Sequence, residues 1–281
     1  MKVFETIKDV QSAITQLKAE GKTIGFVPTM GALHEGHLSL VRRSKKETDI
    51  SVVSIFVNPI QFNDKNDLKN YPRIIDQDIK MLSSANADIL FYPGEQEMYP
   101  EPCNDKWDFG AIEKVMEGAH RPGHFNGVAI VVKKLFEIVT PHKAYFGLKD
   151  FQQLAVIKQL VIQTKSPVEI IPCTIVREND GLAMSSRNIL LSLDERIHAA
   201  NISRTLFLAK SDFKSKSIKE TIDFVVNTLN ADPYMNVEYF EIVDDTYLQP
   251  VMDWNQPGVK VGCVAVKIGK VRLIDNIIFN D

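Results

Sequence analysis

The sequence predicts an α/β protein, a doubly wound parallel sheet followed by a smaller α+β domain, and three observations carry that prediction. Short β-rich apolar runs alternate with helical periodicity through about the first 175 of 281 residues. Continuous apolar strands separated by helices imply βαβ units and a sheet covered on both faces. After "RENDGLAMSSRN" helices come first and strands follow, no longer interleaved. The chain is also long enough for two domains, each with a substantial core.

In the first domain, residues 1–175, the opening "MKVFETIKDVQSAITQLKAEG" is amphipathic with charges throughout, unlike a signal peptide. "TIGFVPT" reads as a buried strand, "HEGHLSLVRRSKKE" as a helix and "ISVVSIFVN" as a second strand. A helix around "RIIDQDIKMLSSA" leads to the strand "ADILFYP", and the helix "NGVAIVVKKLFEIV" to the strand "KAYFG". The helix "FQQLAVIKQLVIQT" and the strand "VEIIPCTIV" complete a Rossmann-like series. The second domain, residues 176–281, reads as two helices, "LDERIHAANISRTLFLAKS" and "SIKETIDFVVNTLN", then three antiparallel strands, "NVEYFEIVDD", "GCVAVKIG" and "VRLIDN".

Composition narrows the function. Apolar residues at 44% and charged residues at 25% are ordinary for a soluble globular protein. A net charge of −3 gives no basic excess with which to neutralise a nucleic-acid backbone, so an anionic ligand must be held by a local cluster. Cys103, Cys173 and Cys263 lie far apart, which fits neither a zinc site nor a disulfide framework and suits a reducing, cytoplasmic setting. The run "GVAIVVKKLFEIVT" is interrupted by Lys133 and Lys134 and is too short to span a bilayer, so no membrane partner is expected.

In open parallel sheets ligands bind beyond the carboxyl ends of strands, the place "PTMGALHEGH" takes after the strand "TIGFVPT". Gly31 allows a tight turn and Gly36 a close approach at the helix start. A helix N-terminus offers unpaired N–H groups and a partial positive charge, both suited to phosphate. His34 and His37 share one helical face and can donate hydrogen bonds to charge developing on a transferred phosphate. The alternative, less favoured reading is a pair of turn-stabilising surface histidines. "GLAMSSRN" gathers Ser185, Ser186 and Arg187 into a donor-rich patch for phosphate oxygens, or caps a helix. "GLKDFQQL" places Lys149 and Asp150 between a strand and a helix, as a phosphate and ribose contact or a solvated pair, with Gln153 one turn on. "FVNPIQF" offers the neutral amides of Asn58 and Gln61 to a small polar substrate, or supplies turn chemistry at Asn-Pro. "HRPGHFNGV" adds Arg121 and His124 near a helix start, as an anion contact or a surface loop.

His-x-Gly-His behind a strand resembles the signature of the adenylyl-transferring superfamily that includes class I aminoacyl-tRNA synthetases and nucleotidylyltransferases. Taken in order, "PTMGALHEGH", "FVNPIQF", "YPR", "RPGHFNGV", "GLKDFQQL" and "GLAMSSRN" resemble the pantothenate synthetase (pantoate–β-alanine ligase) family, with matching lengths between motifs along essentially the whole chain. The resemblance implies condensation of pantoate with β-alanine to pantothenate, the precursor of coenzyme A, with ATP converted to AMP and pyrophosphate through a pantoyl adenylate. It implies ATP contacts from Met30, Gly31, Ala32, Leu33, His34, Glu35, Gly36 and His37, with His37 the proton donor and His34 beside it. Gly147, Leu148, Lys149, Asp150 and Val176 match adenosine contacts, Lys149 reaching phosphate as well. Met184, Ser185, Ser186 and Arg187 match a loop that closes on the triphosphate. Gln61 matches a contact for both pantoate and β-alanine, and Gln153 a second pantoate contact, beside which Asn58 is expected.

Leu148 stands where the family often has a polar residue, so a backbone contact there survives and a side-chain contact does not. In "YPRIIDQDIKM" Gln77 and Met81 interrupt the acidic residues that support the metal in the family, leaving Asp76 and Asp78. Mg²⁺ is therefore expected to arrive with ATP, with no protein ligand. A homodimer is implied by the resemblance, and "ISVVSIFV" suits either an exposed sheet edge or a buried central strand. Two rival readings are a nucleotidylyltransferase with a phosphorylated acceptor and a nucleotide-sensing module without turnover.

Overall fold

The computed structural model describes residues 1–279. The chain forms two compact units, the first comprising Met1–Phe109, Arg121–Leu148 and Val156–Thr174. The second takes in Gly110–His120 and Lys149–Ala155 together with the chain from Ile175 onward.

The first unit is built on β1 (Lys2–Phe4), α1 (Ile7–Ala19), β2 (Ile24–Thr29), α2 (Glu35–Glu47) and β3 (Ile50–Ile55). Two short pieces follow, a 3₁₀ turn (Pro59–Gln61) and α3 (Lys65–Asn70), before α4 (Ile75–Ser84), β4 (Ile89–Phe91) and α5 (Glu95–Met98). After α6 (Met116–His120), which belongs to the second unit, come α7 (His124–Val139), β5 (Lys143–Gly147), α8 (Phe151–Thr164), whose first residues to Ala155 belong to the second unit, and β6 (Glu169–Cys173). The sheet is parallel throughout, in the order β1-β4-β3-β2-β5-β6.

The strands "IGFVPT" and "ISVVSI" form because apolar and β-branched residues suit a surface buried on both faces. Alternation then sorts their side chains. Val27 and Val53 pack with Leu38 and Val41 of α2 and Leu82 of α4. Phe26 meets Phe136 of α7 on the other face, edge to face at 6.4 Å. β3 has β2 on one side and β4 on the other, so the apolar run is a central strand and offers no edge for pairing. The strand β1, only three residues long, is too short to show a period and is not separable by sequence from the amphipathic start of the chain.

From β2 the chain winds outward through β3 and β4, then crosses back to lay β5 on the opposite side of β2. The reversal lies between β2 and β5, and the crevice beyond their carboxyl ends is where doubly wound sheets bind ligands. The loops that leave those two ends are residues 30–34 and 148–150.

The second unit is α+β. α9 (Leu193–Asp212) and α10 (Ile218–Asn230) pack on an antiparallel sheet of β7 (Met235–Asp244), β8 (Lys260–Ile268) and β9 (Val271–Phe279), ordered β7-β8-β9. Each helix opens with a reciprocal capping box, Ser192 with Glu195 and Ser217 with Glu220, which satisfies donors the helix itself leaves unpaired.

Candidate active site

Residues 30–37 leave β2 through two consecutive left-handed residues, Gly31 at φ 83° and Ala32 at φ 48°. Gly31 needs its missing side chain as well as its φ, because a Cβ there would lie 3.0 Å from Ile55 Cγ2 and 3.1 Å from Asp78 Oδ2. The loop is held from beneath by Asp78, in the first turn of α4 and 1% exposed. Its two carboxylate oxygens accept the N–H groups of Ala32 at 2.9 Å and Leu33 at 2.7 Å. Burial pushes the Asp78 carboxyl above the usual range, and the two amide donors pull it back. Gly31 N–H donates to Thr29 Oγ1 at 3.2 Å, and the Leu33 side chain enters the core beside Leu38 and Val41.

The helix starts at Glu35 with His34 as its N-cap in extended conformation, so His34 does not share a helical face with His37 as the spacing predicts, because the cap lies outside the helix. His34 N–H donates to His37 Nδ1 at 3.3 Å, and the two rings sit 4.0 Å apart at 35°. A backbone N–H can only donate, so Nδ1 of His37 is an acceptor, and the neutral ring carries its proton on Nε2. Both rings are half-buried. The N–H groups of Gly31, Ala32, Leu33 and His34 are thus occupied within the protein. Those of Glu35 and Gly36, at the first two helical positions, have no acceptor among the described residues. The Glu35 carboxylate is turned to a surface pair with Arg42, whose hydrogen bond lowers its pKa.

A second cluster in the first unit surrounds Gln61. Gln61 is buried, and its Nε2 lies 3.1 Å from Sδ of Met30, which links the amide to the first residue of the histidine loop. Asn58 is completely buried. Its Nδ2 donates to Gln61 Oε1 at 3.1 Å and Gly127 O at 3.0 Å, and its Oδ1 accepts from the Tyr99 hydroxyl at 2.9 Å. Both amide hydrogens of Asn58 are therefore occupied, and Asn58 orients Gln61. Burial raises the Tyr99 phenol well above its ordinary pKa, which keeps it a donor. His124 Nδ1 donates to Gln61 O at 2.8 Å and its Nε2 faces Arg121 at 3.2 Å, so His124 braces the Gln61 backbone. Gly127 makes this possible, since a Cβ there would sit 2.7 Å from Gln61 Cα.

Gly147 ends β5 and Leu148 follows it as the last residue of that stretch of the first unit. The second unit carries the remaining candidates: Lys149, Asp150, Gln153, Val176 and residues 184–187. Lys149 Nζ lies 3.5 Å from Asp150, and its carbonyl accepts from Asn276 Nδ2 at 3.0 Å. Gln152 is buried and bonds the carbonyls of Ile112 and Val115, whereas Gln153 is half-buried with no protein partner among the described residues. Residues 176–184 form a small hairpin, with Met184 N–H donating to Val176 O at 3.0 Å and Gly181 at φ 95° at its tip. Arg177 holds it to β9 through a bidentate pair with buried Asp275, at 2.6 and 3.0 Å. Arg187 N–H donates to Ser185 Oγ at 3.2 Å, which folds the turn that carries Ser186.

Asp78, Tyr99, Gly127, Arg177, Asp275 and Asn276 escape a reading of the sequence because each acts on backbone or side chains far along the chain. Among the described residues no group of three or more His, Cys, Asp or Glu side chains is placed to hold a metal ion. The oxygens of Asp78 face amides, and Asp76 and Gln77 are exposed.

Fold and loop together define a class, the nucleotide-binding α/β enzymes with a His-x-Gly-His turn at the reversal point of a doubly wound sheet. Within it, a sequence-family model described as Pantoate-beta-alanine ligase matches residues 2–278, and the chain belongs to that family of ligases. It is 54% identical over 281 residues to the pantothenate synthetase of Bacteroides fragilis, covering 100% of both chains. Among solved structures it resembles the pantothenate synthetase of Thermus thermophilus, with a TM-score of 0.92, 40% identity and 99% of each chain covered. The pantoate-β-alanine ligase of Francisella tularensis, solved in complex with β,γ-ATP and β-alanine, matches with a TM-score of 0.85 and 37% identity, covering 99% of this chain and 98% of that one.

Proposed function

We propose that the protein condenses (R)-pantoate with β-alanine in two steps, through a pantoyl adenylate that stays bound. A pantoate carboxylate oxygen attacks the α-phosphorus of ATP, and the bond to the β-phosphate oxygen breaks to release pyrophosphate. The β-alanine amine then attacks the acyl carbon, the acyl–oxygen bond breaks to release AMP, and the amine gives up a proton to solvent. The observation that carries this reading is the His34–His37 pair, rings 4.0 Å apart at the carboxyl end of β2, linked through Met30 to the Gln61 amide. The nucleotide and β-alanine held by the Francisella relative support it.

His37, with its proton on Nε2, is the donor to phosphoryl oxygens as charge moves onto pyrophosphate, and His34 holds that ring in place. The N–H groups of Glu35 and Gly36 serve the phosphates at the helix start. Lys149, Arg187, Ser185 and Ser186 supply further donors, while Met184, Val176 and the backbone at Gly147, Leu148 and Asp150 frame the adenosine. Gln61 addresses pantoate and β-alanine, Gln153 addresses pantoate, and Asn58 acts through Gln61. Mg²⁺ enters as part of the substrate, bound to ATP oxygens. We read the working form as a cytoplasmic homodimer, to be checked by sedimentation.

The test is isotope exchange between pyrophosphate and ATP, with Mg²⁺ and without β-alanine. Exchange that requires pantoate supports the adenylate. No exchange, and no AMP released once β-alanine is added, would end the ligase reading.

A further inference from the structure

Asp78 is the fully buried carboxylate of the first unit among the described residues, and its place is hard to explain by packing alone. Removing an ionised carboxylate from water costs several kcal/mol unless hydrogen bonds replace the lost solvent. The two replacements are both backbone amides of one loop, Ala32 and Leu33, at 2.9 and 2.7 Å. Charge-assisted bonds of this kind are about twice as strong as neutral ones. They act on a backbone that needs holding, since Ala32 is left-handed at φ 48°, a conformation L-residues disfavour because Cβ crowds the following carbonyl oxygen. Gly31 beside it brings the loop so close to Asp78 that a Cβ would touch Oδ2 at 3.1 Å.

Resting on the nucleotide-site reading above, we infer that Asp78 is a positioning residue for adenylate formation. It clamps the amides of Ala32 and Leu33, fixes the left-handed turn, and so sets where His34 and His37 stand at the head of α2. Two consequences follow. The Ala32 and Leu33 amides are struts that stay with Asp78, leaving Glu35 and Gly36 as the backbone donors for phosphate. Asp78 also does not ligate the metal, even though it is the buried acidic residue of the "YPRIIDQD" segment.

The first measurement needs no mutant. In the nucleotide-free protein the Ala32 and Leu33 amide hydrogens should already be protected from exchange, and adding Mg²⁺-ATP should change them little. Rapid exchange that slows only with ATP would make them phosphate donors and overturn the clamp. The second is Asp78→Asn, which keeps one acceptor but presents an NH₂ donor to the other amide. We expect pantoate-dependent pyrophosphate exchange to fall by on the order of 10²-fold in kcat/KM for ATP, as for a displaced catalytic group. Added Mg²⁺ should not restore it, whereas a second change, Ala32→Gly, should restore part by easing the left-handed turn. Unaltered kcat/KM, or recovery on raising Mg²⁺, would overturn the assignment. Absence of pantoate-dependent exchange in the unmodified enzyme would instead count against the ligase reading, and the amide measurement would still judge the clamp.

Discussion

His37 and Tyr99 show how single side chains derive their roles from what they touch. Because His34 N–H occupies Nδ1 of His37, the proton available for donation sits on Nε2, and removing the ring removes both that donor and the neighbour of His34. His37→Ala is therefore expected to slow pantoate-dependent pyrophosphate exchange by on the order of 10²-fold or more, the usual loss for a transition-state donor. Near-normal single-turnover formation of the adenylate would remove His37 from that role. Tyr99 reaches Gln61, the proposed substrate contact, only through Asn58, which it bonds and which in turn bonds Gln61. Tyr99→Phe should raise the KM for pantoate about fivefold, the worth of one neutral hydrogen bond of about 1 kcal/mol, and leave the KM for ATP unchanged. Equal effects on both substrates would show general loosening instead. The histidine pair is legible in the sequence as a pair, but not its geometry: the expected shared helical face is replaced by a cap, with His34 extended ahead of the helix and bonded through its N–H to His37 at the third helical position. Asp78 is not legible, since a carboxylate in a helix's first turn is commonplace and its amide partners lie 45 and 46 residues away.

Elements are readable where hydrophobic period runs long enough and where a strand's surroundings do not matter. The two strands flanking the reversal point are continuous apolar or aromatic runs between helices, and they pair in parallel as that pattern requires. The run "ISVVSI" holds no clue to edge or centre, because a buried strand reads the same whichever neighbours it has. The hairpin of residues 176–184 is a different case, since electrostatics tie it to α9. Arg196 bonds both Glu178 and Asp180, and its hydrogen bond holds the Asp180 carboxyl below its usual pKa. A carboxylate depressed in the folded state contributes stability above its unfolded pKa, about 3.9 for Asp, and loses it as pH falls through the lower folded value. Arg196→Met should therefore lower thermal stability at neutral pH by about 1 kcal/mol or less, because solvent reaches 33% of the Asp180 side chain. The gap from the unmodified protein should start to narrow as pH falls towards about 3.9 and close only once pH has passed the lower folded value, where Asp180 is protonated in folded and unfolded chains alike. A gap that persists in acid would mean that Arg196 acts through packing.

For the whole molecule, the change from interleaved to sequential elements near residue 176 is visible in the sequence because the hydrophobic period itself changes there. Nothing in residues 110–120 announces that they pack with the sheet of β7, β8 and β9, because that depends on Glu117 meeting Arg272, 155 residues later. Arg272 grips Glu117 with two bonds, at 2.8 and 2.6 Å, and also bonds Glu238, while the Tyr239 hydroxyl donates to Glu117 at 2.8 Å. The Glu117 side chain is only 10% exposed, so its charge depends on these partners. Cutting the chain near residue 174 would separate Glu117 from Arg272, and such a first fragment should not hold residues 110–120 in place. The same dependence can be read without cutting. Arg272→Met should cost about 3 kcal/mol in urea unfolding, since breaking a largely buried pair leaves a carboxylate without its counter-charge. Glu117→Gln added to Arg272→Met should recover part of that loss, because the unpaired charge is then gone. If instead the two losses simply add, Glu117 and Arg272 stabilise the fold independently, and the segment is held in the second unit by Gln152 and its bonds to Ile112, Val115 and Glu117.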